Sequence, residues 1–277
     1  MEQIMKKTAL ILCCAALLSC NESKKTEIEK PQIEVQITGE ISHEILNKKI
    51  ECEATSYDYS IPNFNSNTDA DLVLNHEITS LITQDFIDVT YAKGTPLKSL
   101  FETFTSRRER ILCDDKKNEG FTQLETLFVT DNTQFTSYEI EYSKTNSKGR
   151  ILKTYLKPEL KEIYLNDLIP EEKRRDVKII FDANLQQAVA NLALELPEGE
   201  IQNRFTEHVL NKVFQFETAD FQNTGLSLDF KSDVSKKIRV SKTVELPKEF
   251  DFLNNTIVIE INAFELSHYL DLSRVID

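Results

Sequence analysis

The sequence predicts an α+β fold in which antiparallel sheets pack against several amphipathic helices. Strand-like runs, in which apolar and polar residues alternate, are grouped along the chain, and so are helix-like runs with apolar residues three and four positions apart. This grouping favours α+β over a doubly wound fold, in which the two types would alternate strictly. The 277 residues are 40% hydrophobic, with 16 Phe and 8 Tyr, which is enough to form a buried core.

The first nineteen residues have the features of a secretory signal. Lys6 and Lys7 precede an apolar run over 8–18 that is too short to remain in a membrane as a spanning helix. The run ends in Leu-Leu-Ser-Cys at Cys20, which resembles the bacterial lipobox. This resemblance implies that Cys20 is acylated and becomes the mature N-terminus, with ordinary cleavage or an uncleaved anchor as alternatives. We therefore expect a lipoprotein signal peptide at 1–19.

A polar tether is expected at 20–34, because residues 21–34 contain three Lys and four Glu with almost no apolar side chain. An N-terminal α+β part is expected at 35–160. It begins with antiparallel strands from Val35 to Pro62, where apolar and polar positions alternate.

Two helices are expected next. Thr68 and Asp71 have the spacing of a capping box, and apolar residues then recur at helical spacing as far as Val89. A second helix starts near Thr95 and Pro96, since Thr can cap a helix and Pro suits its first turn.

Three strands then form a predicted meander, at 121–130, 135–143 and 150–156. In the middle strand, Tyr138 and Ile140 should point to one face of the sheet and Glu139 to the other.

A C-terminal α+β part is expected at 161–277, forming one compact unit with the N-terminal part. Its longest helix should run from Pro170 to Leu196, with a shorter one at 201–213. The remaining elements are three strands and a final short helix, expected at 225–230, 238–246, 256–261 and 264–270.

Motifs for common cofactors and catalytic nucleophiles are absent from the sequence. The six glycines are at least 26 positions apart, which excludes the dinucleotide-binding, P-loop and nucleophile-elbow motifs. There is no CxxC pair and no HExxH motif. The four histidines are isolated in sequence, at His43, His76, His208 and His268. We expect surface or core roles for them, and we expect no metal, no cofactor and no catalytic residue.

Cys52 and Cys113 are the candidates for a disulfide. Cys13 and Cys14 leave with the signal peptide, and lipid occupies Cys20 under the favoured interpretation. Oxidising conditions outside the cytosol permit a bridge, and two separate buried thiols are the alternative.

The charge of the chain is strongly acidic. Once the signal is removed, 31 basic and 45 acidic residues give a net charge of −14, which argues against a general nucleic-acid binder. The segment 231–248 is locally basic. It is interpreted as an exposed edge strand whose lysines discourage pairing, with a patch for an anionic polymer as the alternative.

Six short stretches resemble a known pair of domains. They are Tyr59–Pro62 with Leu74–Ile78, Thr136–Ile140, Leu165–Ile169, Phe221–Phe230 and Phe264–Leu270. Over about residues 45–275 they are similar to the paired domains of unknown function 4163 and 3298. These domains form the outer part of a lysozyme-sensing anti-sigma-V factor and accompany the catalytic domain of a peptidoglycan deacetylase. The family's Tyr-x-Gly-Gly-Ala-His stretch is missing here, and residues 144–149 stand in that region.

The resemblance implies an extracytoplasmic binding or sensing module with no catalytic residues. We expect a lipid-anchored protein of the bacterial cell envelope, at the outer membrane on its periplasmic or surface side. The ligand would be a cationic protein such as lysozyme, or cell-wall material such as peptidoglycan. The alternative is an extracytoplasmic hydrolase with a convergent active site that no sequence motif reveals.

Overall fold

Nine strands and seven α-helices form the described part of the chain in a computed structural model, and the predicted α+β class is confirmed. The structure describes residues 36–273 except 38, 54, 67, 85–93, 115–119, 146 and 231–235, all within the unit Pro31–Asp277. The predicted signal peptide, the tether and Cys20 lie outside the described residues.

Six strands form the larger sheet, in spatial order β1 to β6. They are β1 (Ser42–Cys52), β2 (Thr55–Asn65), β3 (Phe121–Asp131), β4 (Phe135–Lys144), β5 (Ser147–Leu156) and β6 (Lys161–Glu162). The predicted meander is present as β3, β4 and β5. Val35 lies outside the described residues, and the described residues before β1, 36–37 and 39–41, are not in a strand, so the strand begins later than expected, at Ser42. Neighbouring strands are antiparallel except β2 and β3, which run parallel.

Three helices cover one face of this sheet: α1 (Ala70–Leu74), α2 (His76–Thr83) and α3 (Leu97–Glu109), which continues as a π-helical turn, Arg110–Asp114. The expected continuous first helix is broken at Asn75. The Asn75 side chain bonds both backbone groups of Phe64, at 3.0 Å each, which ties this point of the chain to β2. The expected Thr68–Asp71 capping box was also wrong, since Asp69 is the N-cap residue, although the Thr68 hydroxyl accepts the backbone N–H of Ala70 at 3.4 Å.

The C-terminal helices are α4 (Leu165–Leu168), α5 (Arg174–Asn191), α6 (Glu200–Asn211) and α7 (Thr218–Asn223). Short 3-10 turns flank α5 at Glu171–Lys173 and Leu192–Glu195. In α5 the buried residues recur every four positions, which is why one face of the helix packs on the core. They are Val177, Phe181, Leu185 and Val189.

The smaller sheet has the order β7 (Leu226–Asp229), β8 (Lys237–Thr243) and β9 (Thr256–Asn262), all antiparallel. A 3-10 turn, Lys248–Phe250, lies between β8 and β9. The helix expected at 264–270 was wrong, because this segment forms successive turns.

Two hydrophobic clusters lie on opposite faces of the larger sheet around β4 and β5. Side chains alternate between the faces of a strand, and Tyr138 and Ile140 accordingly belong to the cluster with the N-terminal helices. On the other face, the Ser137 hydroxyl accepts a 2.9 Å hydrogen bond from the backbone N–H of Leu228 on β7. The second cluster contains the buried side chains of α5, α6 and the smaller sheet.

Candidate functional site

A cleft of about 720 Å³ opens at one end of the larger sheet. We call it the β1–β3 cleft, because it lies between the residues that lead into β1 and those at the end of β3. Its lining residues are Glu40, Ile41, Ser42, His43, Val129, Thr130, Asp131, Asn132 and Phe230. This volume lies within the roughly 300–1,000 Å³ range of small-molecule sites.

The strands separate at this end because β2 and β3 pair over a short stretch. Among the described residues, their one registered pair is Tyr59 with Leu124. Thr126 then bonds Ser60 through its backbone N–H, at 2.8 Å, and through its hydroxyl, at 3.1 Å. A register shift follows in β3, between Thr126 and Phe128. Beyond this point a side chain, rather than a neighbouring strand, connects β3 to the start of β1.

That side chain is the carboxylate of Asp131, which is only 5% exposed. Its Oδ2 accepts the backbone N–H of Ile41 at 2.6 Å, and its Oδ1 accepts the Thr136 hydroxyl. The ammonium group of Lys157, only 1% exposed, lies 2.9 Å from Oδ1. Lys157 also donates to the carbonyl oxygens of Gly39, at 2.7 Å, and Asn132, at 2.6 Å. A fully formed ion pair therefore fixes one wall of the cleft.

Two neighbours of Asp131 have polar groups available. The Asn132 amide oxygen accepts the backbone N–H groups of Gln134 and Phe135, both at 2.8 Å, which orients its amide nitrogen away from the turn. Thr130 is 6% exposed, and its hydroxyl makes no hydrogen bond in the described part of the chain. An unpaired buried hydroxyl is uncommon in folded proteins and calls for an explanation.

A second buried carboxylate, Glu139, lies between the two sheets and lines neither of the cavities described here. It is 1% exposed and lies 2.9 Å from the Arg150 guanidinium and 3.8 Å from that of Arg239. The Ser227 hydroxyl on β7 donates to it at 3.4 Å. Burial raises the pKa of Glu139 above its ordinary value, and the two guanidinium groups and the hydroxyl oppose that rise. This cluster joins β4 and β5 to the smaller sheet.

Burial also raises the pKa of Tyr138 and Tyr155 far above the ordinary tyrosine value. The Tyr138 hydroxyl donates to the Leu74 carbonyl at 3.2 Å. Both phenols therefore stay protonated at neutral pH, and they are placed to support the N-terminal core.

The four histidines lie on separate elements. His43 is on β1 at the cleft, with its ring 5.9 Å from that of Phe64, and His76 begins α2. His208 is on α6 near Phe214, at 6.4 Å, and His268 is exposed in the turns after β9. Within residues 36–273, outside the gaps given above, there is no group of three or more His, Cys, Asp or Glu side chains suited to a metal ion.

A smaller cavity of about 410 Å³ lies in the C-terminal part, between Lys236 and the turns that follow β9. Its walls are largely apolar side chains of these turns, including Phe264 and Leu270.

Cys52 and Cys113 form a disulfide, with their Cα atoms 5.1 Å apart. The bridge joins the end of β1 to the π-helical turn after α3, 61 residues along the chain. It lies away from the β1–β3 cleft, which is at the start of β1.

The basic segment was wrongly interpreted as an edge strand, because β8 is the middle strand of its sheet. Its cations face carboxylates: Arg239 pairs with Glu260 at 2.7 Å, and Lys242 pairs with Asp220 at 2.5 Å. Lys231 lies outside the described residues. These ion pairs explain the basic residues as partners of nearby acidic side chains.

The sequence pattern did not predict the cleft. Asp131 and Asn132 fall between the strands predicted at 121–130 and 135–143, and no motif marks Glu40, Thr130 or Phe230. The Asp-Asn pair at a strand end was the available signal, since such residues bond nearby backbone groups. The distant residues Ile41 and Lys157 reach this turn through contacts that no local pattern encodes.

Among solved structures, the chain is similar to the crystal structure of a DUF3298 family protein from Pseudomonas aeruginosa. The TM-score is 0.42 and the sequence identity is 11%, over 83% of this chain and 94% of that chain. No family model and no curated protein matches the sequence. In the described part, none of the helices combines the length and hydropathy needed to cross a membrane. The lipid anchor and the 4163-like and 3298-like parts stay predictions.

Proposed function

We propose that the chain is a non-catalytic binding protein of the bacterial cell envelope, held at a membrane by lipid on Cys20. The β1–β3 cleft is the observation on which the binding role depends. A nucleophile or general base must present a free lone pair to a substrate. Asp131, the buried carboxylate of the cleft, is instead held by the Ile41 N–H, the Thr136 hydroxyl and Lys157. The cleft is therefore suited to recognition.

The location is tested by labelling the full chain with a radioactive fatty acid in bacteria. We expect the label on the parent protein, which fractionates with membranes, and none on the Cys20→Ala variant, which is released from them. A variant that fractionates with membranes as the parent does would contradict the anchor. A parent that stays in the cytosol with its first nineteen residues intact would do the same.

The ligand that the cleft favours is cell-wall material, because polar side chains surround it. A cationic protein such as lysozyme is a second candidate, favoured by the net charge of −14 after the signal is removed. The binding role is tested by cosedimentation of the full chain with insoluble peptidoglycan and by capture on immobilised lysozyme. Both assays are done at low and at physiological salt. Absence of retention in both assays at both salt concentrations would contradict the binding role.

The alternative is an extracytoplasmic hydrolase. The same peptidoglycan incubation tests it, because a hydrolase would release soluble fragments in proportion to time. We expect retention without release. Time-dependent release by the parent would favour the hydrolase, provided that a cleft variant such as Thr130→Val abolishes it.

A further inference from the structure

We propose that the β1–β3 cleft is a saccharide-binding site, in which Thr130, Asn132 and Phe230 contact an uncharged sugar of the cell wall. This inference rests on the binding function proposed above and adds a ligand chemistry and a set of contact residues. Three features of the cleft lead to it: an unpaired buried hydroxyl, a neutralised carboxylate and an aromatic ring beside polar groups.

The Thr130 hydroxyl is the first feature. A buried hydroxyl without a partner costs roughly 1–3 kcal/mol, so Val would suit the fold better at this position. Thr130 lines the cleft, and ligand binding would require a χ1 rotamer that turns this buried hydroxyl toward the cleft. There it can donate to and accept from a sugar hydroxyl, which also does both. A ligand thus supplies the partner that the fold does not.

The Asp131–Lys157 ion pair is the second feature. The pair has no net charge, and three donors hold the Asp131 carboxylate in place: the Ile41 N–H, the Thr136 hydroxyl and the Lys157 ammonium group. This wall of the cleft is therefore fixed and polar without a net charge, which suits a neutral polar ligand. The carboxylate of the lining outside this pair is that of Glu40, which is exposed to water.

The arrangement around Phe230 is the third feature. Its ring packs edge-on against Phe135, with centroids 5.6 Å apart and planes at 90°, so its orientation is fixed by the core. The lining also contains the exposed residues Ser42 and His43 and the amide of Asn132, and the Lys236 ammonium group lies 5.8 Å from the centroid of the Phe230 ring. A sugar ring has apolar C–H faces and a rim of hydroxyls, and this combination of one ring and several polar groups matches both.

The test is isothermal titration calorimetry on the full chain in detergent, with three probes. These are the uncharged tetramer of β-1,4-linked N-acetylglucosamine, maltotetraose and tetralysine. We expect the N-acetylglucosamine tetramer to bind with the same affinity at low and physiological salt, because no net charge is neutralised. Binding of tetralysine without either sugar would overturn the saccharide inference, and so would the absence of binding by all three.

The Thr130→Val variant separates a binding role from a structural one. We expect its affinity for the tetramer to fall about tenfold, since one hydrogen bond to the ligand is lost. Its melting temperature should equal or exceed that of the parent, because the unpaired hydroxyl is gone. Unchanged affinity would overturn the inference.

Two further variants complete the test. Thr206→Val makes the same change on the exposed face of α6, where the hydroxyl bonds the Gln202 carbonyl, and we expect parental affinity. Asn132→Asp keeps the oxygen that accepts two backbone N–H groups and removes the amide donor, and we expect several-fold weaker binding. Parental binding by Asn132→Asp would remove Asn132 from the site. If peptidoglycan or lysozyme still retains the chain while the tetramer does not bind, the saccharide inference fails and the binding function stands.

Discussion

Asp131 and Glu139 are two buried carboxylates on neighbouring strands with different surroundings. Each is at most 5% exposed and is held by at least one cation and a hydroxyl. Asp131 lies in the wall of an open cleft, beside a hydroxyl that has no partner in the described part. Glu139 lies between the two sheets and connects them. A buried ion pair can therefore connect two sheets, as at Glu139, or fix the wall of a cleft, as at Asp131.

Removing the cation of the cleft should have the largest effect on stability. Lys157→Met leaves Asp131 buried without its counter-ion, and we expect the free energy of unfolding to fall by about 3–5 kcal/mol. Urea denaturation measures this. The double variant Asp131→Asn/Lys157→Met is the control, and it should recover part of the loss because no charge is left unpaired. An unchanged midpoint for Lys157→Met would show that the pair does not support this end of the sheet.

Removing the nearest cation of Glu139 should cost less. In Arg150→Ala, Arg239 still lies 3.8 Å from the carboxylate, and Arg150 itself is partly exposed to water. We therefore expect a loss of about 2 kcal/mol, below that for Lys157→Met. Urea denaturation of both variants checks which loss of stability is larger. A larger loss for Arg150→Ala would reverse the comparison between the two carboxylates.

Removing the charge of Glu139 should have the smallest effect on the free energy of unfolding, and it should raise that free energy where the other two changes lower it. Because burial raises the pKa of Glu139, its surroundings disfavour the charged form, and Glu139→Gln should slightly stabilise the protein at neutral pH.

The pH dependence of stability follows from the raised pKa of Glu139. Between the ordinary glutamate pKa and the raised one, the folded state binds more protons than the unfolded state, so this group's contribution to stability falls as pH rises. Thermal unfolding across this range should show a smaller decline in Glu139→Gln than in the parent. An identical pH profile would contradict the assigned pKa direction.

The sequence predicted regular elements well and non-local pairing poorly. The β3–β5 meander and the opposite facing of Tyr138 and Glu139 follow from alternation within a strand. The parallel contact of β2 with β3 and the break at Asn75 depend on side chains that bond backbone groups elsewhere. The central position of β8 was missed because basic residues suggested an edge, whereas their carboxylate partners come from other elements.

The cleft could not be predicted from the sequence, because it also depends on non-local contacts. Glu40–His43, Val129–Asn132 and Phe230 come from three distant segments, and no spacing rule connects them. For the disulfide, by contrast, the sequence identified the two residues but not the reason that they meet. Elimination of the other cysteines pointed to Cys52 and Cys113, but their proximity follows from the packing of α3 on β1.

Hydrogen exchange measured by mass spectrometry tests the central claim most directly. The full chain in detergent is compared with and without soluble peptidoglycan glycan fragments. We predict slower exchange in peptides that contain Glu40–His43 and Val129–Asn132, and unchanged exchange around Glu139 and Ser227. Slowing confined to the Glu139 region, or no slowing in either region, would contradict the assignment of the β1–β3 cleft as the binding site.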